Sequence, residues 1–197
     1  ALVRESDDRI FLAEAVLDEA GGKPLPTNAL IEQVEMPGNV NPKLIEFSLN
    51  NSLLEDGRFD EVGPTGEVLW FLKRLEPEDV RQIPAPLRYT VIPYDRSVMN
   101  PAMLALESEL DDELAEVPAP PGDINEAVIS LSYPHWRAGT LPVSARVRGL
   151  FPTAYYTPRV RFTLVDGLSR EEMPAWVVRQ HGYVVGLGKF YQKYGVM

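Results

Sequence analysis

Proline limits this chain more than any other residue. Its 18 prolines cluster most densely between Glu76 and Pro121. Each one fixes φ at roughly −65° and removes a backbone donor, so no long helix or central strand is expected to run through that stretch. The stretch therefore reads as a connector, residues 76–126, between a first part, 1–75, and a last part, 127–197. Charge divides the chain at the same place. Residues 127–197 carry nine Lys/Arg against three Asp/Glu, a net of +6, within a chain whose net charge is −10. Residues 1–75 carry seven against fourteen, a net of −7. Opposite signs of this kind point to a polyanion-binding part beside an acidic part that meets protein.

An apolar fraction of 45% over 197 residues suits one or two soluble domains. No apolar run approaches the roughly 20 residues of a membrane span, so no membrane partner is expected. Residues 1–9 are charged and carry no apolar signal-peptide core. A leading Ala1 without Met suggests a trimmed chain or an internal fragment. Without cysteine there is no disulfide, thiolate nucleophile or Cys-ligated zinc, which fits a cytoplasmic setting.

In the first part, Ser6 is placed to cap a helix whose apolar face is Ile10, Leu12, Ala13, Val16, Leu17 and Ala20, stopped by Gly21-Gly22. A turn over residues 24–26 leads to Thr27, which caps a helix over 28–36. Asn41 then caps a third helix with Pro42 at its first position. Leu44, Ile45, Phe47, Leu49, Leu53 and Leu54 form its expected buried face, and Gly57 ends it. Phe59 and Val62, a Gly63-Pro64-Thr65-Gly66 turn, and residues 68–72 read as a hairpin. Three helices and a hairpin, with the line RFDEVGPTGEVLWFL, resemble the HARE-type winged helices that accompany nucleic-acid-associated proteins. The resemblance implies that Phe59, Val68 and Trp70 pack the wing and that the third helix is the recognition helix. That helix carries Lys43 against Glu46, Glu55 and Asp56, a balance that repels phosphate. This part is therefore expected to dock protein.

Within the connector, residues 87–93 (LRYTVIP) have strand composition. A helix starts at Asn100-Pro101 and runs to about Val117, with Glu107, Glu109, Asp111, Asp112, Glu113 and Glu116 on its polar side. These acids read as a solvated face, because they lack the loop pattern of a calcium site. Residues 118–123 form a semi-rigid linker. No metal or cofactor is expected.

The last part reads as a strand at 127–131, a loop SYPHWRAG, a strand at 140–143 and helical turns at 145–151. A strand at 159–165 and an Asp166-Gly167 turn follow. A hairpin then spans Gln180-His181-Gly182, and a helix runs over 187–194. GTLPVSARVRGLFP, RVRFTLVDG, AWVV and YVVGLGKFYQKYGV resemble the plant B-three-type DNA-binding pseudobarrel of auxin response factors. The resemblance implies two arms in the DNA major groove, the first bringing His135, Trp136 and Arg137 and the second Arg179, Gln180, His181 and Tyr183. Arg159, Arg161 and Lys189 would meet phosphates. The barrel would be truncated, or closed by a segment such as 87–93. Trp136 and Trp176 also suit a core.

The expected class is α+β: a winged helix, an acidic connector and a small pseudobarrel with two short helices. Its function would be DNA binding by the last part and protein docking by the first. The alternative is a protein-interaction scaffold. An enzyme ranks last, because no nucleophile, base and orienter can be read together.

Overall fold

The structure, a computed structural model, describes residues 2–33, 40–88, 90, 92–109, 122 and 124–196. It is a mixed α+β fold of two compact units. One comprises Ala1–Pro77 with Ala154–Thr157, the other Glu78–Thr153 with Pro158–Met197.

The first unit runs α1 (Leu2–Glu19), β1 (Leu25–Pro26), α2 (Thr27–Gln33), α3 (Pro42–Glu55), β2 (Phe59–Glu61) and β3 (Leu69–Leu72). Helix α1 is already running at Ser6, so Ser6 is interior and not a cap; nothing in Leu2, Val3, Arg4 or Glu5 breaks a helix. Helix α3 starts where its cap is written: Asn41 Oδ1 accepts from Lys43 N at 3.0 Å, with Pro42 in the first turn. Strands β2 and β3 pair antiparallel, Phe59 opposite Leu72 and Glu61 opposite Trp70. A third strand adds to the other side of β3: Leu25 pairs with Trp70 and Pro26 with Leu69. The sequence reads that segment as a turn. Ala13, Leu17, Leu30, Leu49, Leu53, Phe59, Trp70 and Leu72 form the core. Val68, expected to pack the wing, is exposed. The end of the expected second helix, residues 34–36, lies outside the described residues.

The second unit holds α4 (Glu78–Arg81), α5 (Pro101–Glu109), α6 (Tyr133–Ala138), β4 (Thr140–Pro142), β5 (Arg159–Val165), β6 (Glu172–Val178), β7 (Tyr183–Val185) and α7 (Gly188–Tyr194). The strands form one antiparallel sheet in the order β4-β7-β6-β5. Ala175, Trp176, Val177 and Val178 are all buried, as befits a central strand covered on both faces. Among the described residues this order is open, with β4 and β5 at its edges.

Four expectations change here. Residues 87–93 contribute no described strand: a 3-10 turn spans Ala85–Leu87, and the described residues after it, 88, 90, 92 and 93, belong to no regular element, because Pro84, Pro86 and Pro93 outweigh β-branched composition. Residues 127–131 are not a strand. The SYPHWRAG stretch is helical, with Pro134 in its first turn and Gly139 at its end. The turns at 145–151 shrink to a 3-10 turn over Arg148–Leu150. The acidic helix is described to Glu109, and Asp111, Asp112, Glu113 and Glu116 lie beyond the described residues. No described helix is long and apolar enough to cross a membrane.

Candidate functional site

The hairpin turn between β6 and β7 presents Arg179, Gln180 and His181 together, all exposed. The turn is held from both sides. Arg179 N donates to Pro158 O at 2.9 Å, and Val143 N donates to Gly182 O at 2.7 Å. The His181 ring stacks on Tyr183, with centroids 6.2 Å apart and planes 13° from parallel. Tyr183 itself is 1% exposed, and its hydroxyl donates to Asp79 O at 3.0 Å. It supports the turn from below and is not a contact residue.

The other expected arm is helix α6. His135 is 1% exposed, with Nδ1 2.9 Å from Thr140 Oγ1, so it belongs to the interior. Half-buried Trp136 donates its Nε1–H to Val196 O. Of the three residues expected to make contact from this arm, Arg137 is the exposed one, with Nη1 3.3 Å from the hydroxyl of Tyr133, which is also exposed.

Sheet register separates the two arms. Strands β4 and β7 are antiparallel, Thr140 opposite Val185 and Pro142 opposite Tyr183. The chain before Thr140, which is α6, therefore lies at the far end of the pair from the chain before Tyr183, which is the Arg179–His181 turn. Exposed Lys189, on α7, lies at the α6 end. Arg159 and Arg161 are half-buried on β5. The Arg161 guanidinium sits 5.7 Å from the Trp176 ring centroid, and burial lowers its pKa.

A cavity of about 240 Å³ opens beside the hairpin turn, with Val143 and Val177, Phe151, Thr153, Arg148 and Arg179 among its walls. Arg148 and Phe151 were not singled out as site residues by sequence. Only the short spacing of Arg148 from β4 hints at them.

A polar cluster sits at the β5–β6 turn. Buried Asp166 accepts from Ser169 Oγ at 2.5 Å, Tyr194 OH at 2.6 Å and Lys193 Nζ at 3.0 Å. These partners, Ser169 first, hold its carboxyl well below the usual range. Lys193 Nζ also reaches Ser169 Oγ at 2.7 Å and Glu171 at 3.0 Å. A serine 2.7 Å from a lysine suggests a nucleophile and its base. However, Glu171 and Asp166 raise the Lys193 pKa, so the ammonium keeps its proton and the cluster clamps α7 to the turn.

Burial pushes the Tyr183 phenol up to about 12, with Asp79 adding to it, and raises Tyr191 further. A folded-state pKa above the unfolded value of about 10 means stability that is whole below that pH and lost as pH rises through it. Thermal midpoints measured between about pH 9 and about pH 11.5 are expected to fall steadily. Tyr183→Phe should fall less steeply, and an unchanged slope would count against the burial of that phenol.

In the first unit, the α3 face turned away from the core is apolar. Leu44, Phe47 and Leu54 are 61%, 72% and 67% exposed, while Leu49 and Leu53 enter the core. The sequence assigns all five to one buried face, so this corrects it. Glu46 and Glu55 are exposed on the same helix. Among the described residues no group of three or more His, Asp or Glu side chains is placed to hold a metal ion. Compared with family models, curated proteins and solved structures, the chain has no significant match.

Proposed function

We propose that the chain is a protein-interaction module that docks a basic amphipathic helix of a partner along α3. The observation that carries this reading is the exposed row Leu44, Phe47, Asn51 and Leu54. Its spacing of three, four and three is the a-d-a-d seam of a helix pair, with a polar Asn at one a position to fix register. Such a row left in water on a 14-residue helix calls for an apolar partner. Lys43 is the helix's one base, Glu46 and Glu55 flank the row, and residues 1–75 carry −7. Lys or Arg flanks on the partner would complement that field. Three helices followed by the β2–β3 hairpin support the winged-helix reading of this unit. The helix in the recognition position offers leucines and a phenylalanine instead of phosphate-binding bases.

The test is titration of the full chain with a synthetic helix carrying Leu at a and d and Lys at e and g. Binding is expected to weaken about 30-fold in Phe47→Asp, the scale of a central hot spot, with the circular dichroism spectrum unchanged. Equal binding by Phe47→Asp would remove α3 as the docking face.

A second reading, nucleic-acid binding by the second unit, is favoured by Arg148 and Arg179 lining one cavity beside exposed Gln180 and His181. It rests on the hairpin turn and Arg148, because α6 and Lys189 lie at the other end of β4 and β7 and His135 and Tyr183 are interior. Few phosphates can be met there, so a shallow salt dependence of duplex binding is expected.

A further inference from the structure

We infer that the cavity between the Arg148–Leu150 turn and the β6–β7 hairpin binds the terminal phosphate monoester of a nucleotide, free or at the end of a strand. This takes the nucleic-acid reading of the second unit further and rests on it; it is independent of docking at α3.

The cavity has both charged and apolar walls. Among its lining residues Arg148 and Arg179 are exposed, while Val143 and Val177 are buried. Among the described lining residues there is no carboxylate. Arg148 and Arg179 both line this hollow, and a guanidinium offers a planar fork of donors suited to phosphate oxygens. A monoester carries roughly −1.5 to −2 charge at neutral pH, enough to pair with two arginines at once. A diester linkage carries one negative charge and must continue on both sides. A hollow of about 240 Å³ therefore favours a chain end over a threaded backbone. Thr153, also on the wall, adds a hydroxyl of the kind that accompanies arginine at phosphates. Apolar walls strengthen the charge pairing by lowering the local dielectric.

Size and surroundings select the rest of the ligand. The volume is below the roughly 300 Å³ at which pockets begin to enclose drug-sized molecules. Phosphate and sugar can enter, and the base stays at the rim. Gln180 and His181 lie between Arg179 and Gly182 in the chain, and both of those residues line the hollow. The rim thus carries an amide able to pair with a base edge and a ring able to stack on one. Phe151 supplies an aromatic wall, itself packed edge-on against Phe162 with centroids 6.1 Å apart. A phosphorylated peptide would use the arginines and leave this rim idle.

The full chain is titrated calorimetrically with adenosine 5′-monophosphate, inorganic phosphate, a phosphoserine peptide, and one hexanucleotide with and without a 5′-phosphate. Saturable binding of the mononucleotide is expected, with the phosphorylated hexanucleotide binding about tenfold tighter than its unphosphorylated twin. Arg148→Ala and Arg179→Ala should each remove that preference. Arg148→Lys and Arg179→Lys should reduce it while retaining charge, and Lys23→Ala should leave it intact. Melting curves of every variant separate lost binding from lost folding. Equal affinity for the two hexanucleotides overturns the inference and leaves the nucleic-acid reading standing. No binding of either overturns both. A preference that survives in Arg148→Lys, Arg179→Lys and both alanine variants moves the site elsewhere. Tighter binding of the phosphoserine peptide than of the mononucleotide overturns the choice of a nucleotide.

Discussion

Replacing Trp70 by alanine is expected to remove most of the first unit's stability. The side chain is 1% exposed and sits on β3, the central strand, with Leu25 and Glu61 as its two register partners. Its indole Nε1 donates to Thr27 Oγ1 at 3.1 Å and to Asn50 Oδ1 at 3.0 Å, and Thr27 Oγ1 donates to Asn50 Oδ1 at 2.7 Å. One residue therefore ties the sheet to both α2 and α3. Truncating a buried tryptophan costs about 3–5 kcal/mol in lost transfer and residual cavity. Domains of this size have about 5–15 kcal/mol in all. Trp70→Phe keeps most of the volume and loses the indole donor, so about 1–2 kcal/mol is expected. Denaturant midpoints of the helical circular dichroism signal measure both. A loss below about 1 kcal/mol for Trp70→Ala would mean that this residue does not hold the unit together. Leu44 and Leu54 would then lack the fixed helix that the proposed docking seam requires.

What was legible in the sequence follows the range of the interactions involved. The start of α3 is written in Asn41, Pro42 and Lys43, neighbours that complete the cap among themselves. The β2–β3 hairpin is written in its Gly-Pro-Thr-Gly turn. Strand β1 is two residues long, too short for any period, and its partner strand lies some 45 residues further on. Helix α6 did carry the signals of a helix, Pro134 inside the start and Gly139 past the end. The polar and aromatic composition of SYPHWRAG reads as a loop instead. Exposure at the site was harder. Arg179, Gln180 and His181 lie on a tight turn, and turns face solvent. Tyr183 is interior, its hydroxyl donating to the carbonyl of Asp79, 104 residues away, a contact that no local pattern encodes. On α3, Leu44, Phe47 and Leu54 have the same chemistry as Leu49 and Leu53. The positions of Leu30 and Trp70 in the core decide which stripe is covered. The mixed α+β class survives all these shifts, because periodicity over whole elements is less sensitive than the face of any single residue.

The second large effect is expected at Gly139, where the end of α6 meets the start of α7. Gly139 has φ +65° and its N–H caps α6 on the carbonyls of His135 and Trp136. Its own carbonyl accepts from Leu187 N at 3.1 Å. A Cβ here would stand 2.7 Å from Gly188 Cα and 2.9 Å from Gly188 N. Both are backbone atoms and cannot rotate aside. Gly139→Ala therefore combines left-handed backbone strain of about 1 kcal/mol with overpacking of about 1–3 kcal/mol. Gly195 provides the control. It caps α7 at φ +59° in the same left-handed region, on the carbonyls of Gln192 and Tyr191. A Cβ at 195 would meet nothing within 4 Å, so Gly195→Ala should show the strain alone, about 1 kcal/mol. Denaturant midpoints of both variants, followed by tryptophan fluorescence in a Trp70→Phe background so that Trp136 and Trp176 report, isolate the difference as the close approach of the two helix ends. The cavity at Arg148 and Arg179 lies at the opposite end of β4 and β7, so Gly139→Ala should keep the phosphate preference under conditions in which it remains folded. Equal losses for the two alanine variants would mean that residues 139 and 188 do not pack backbone to backbone.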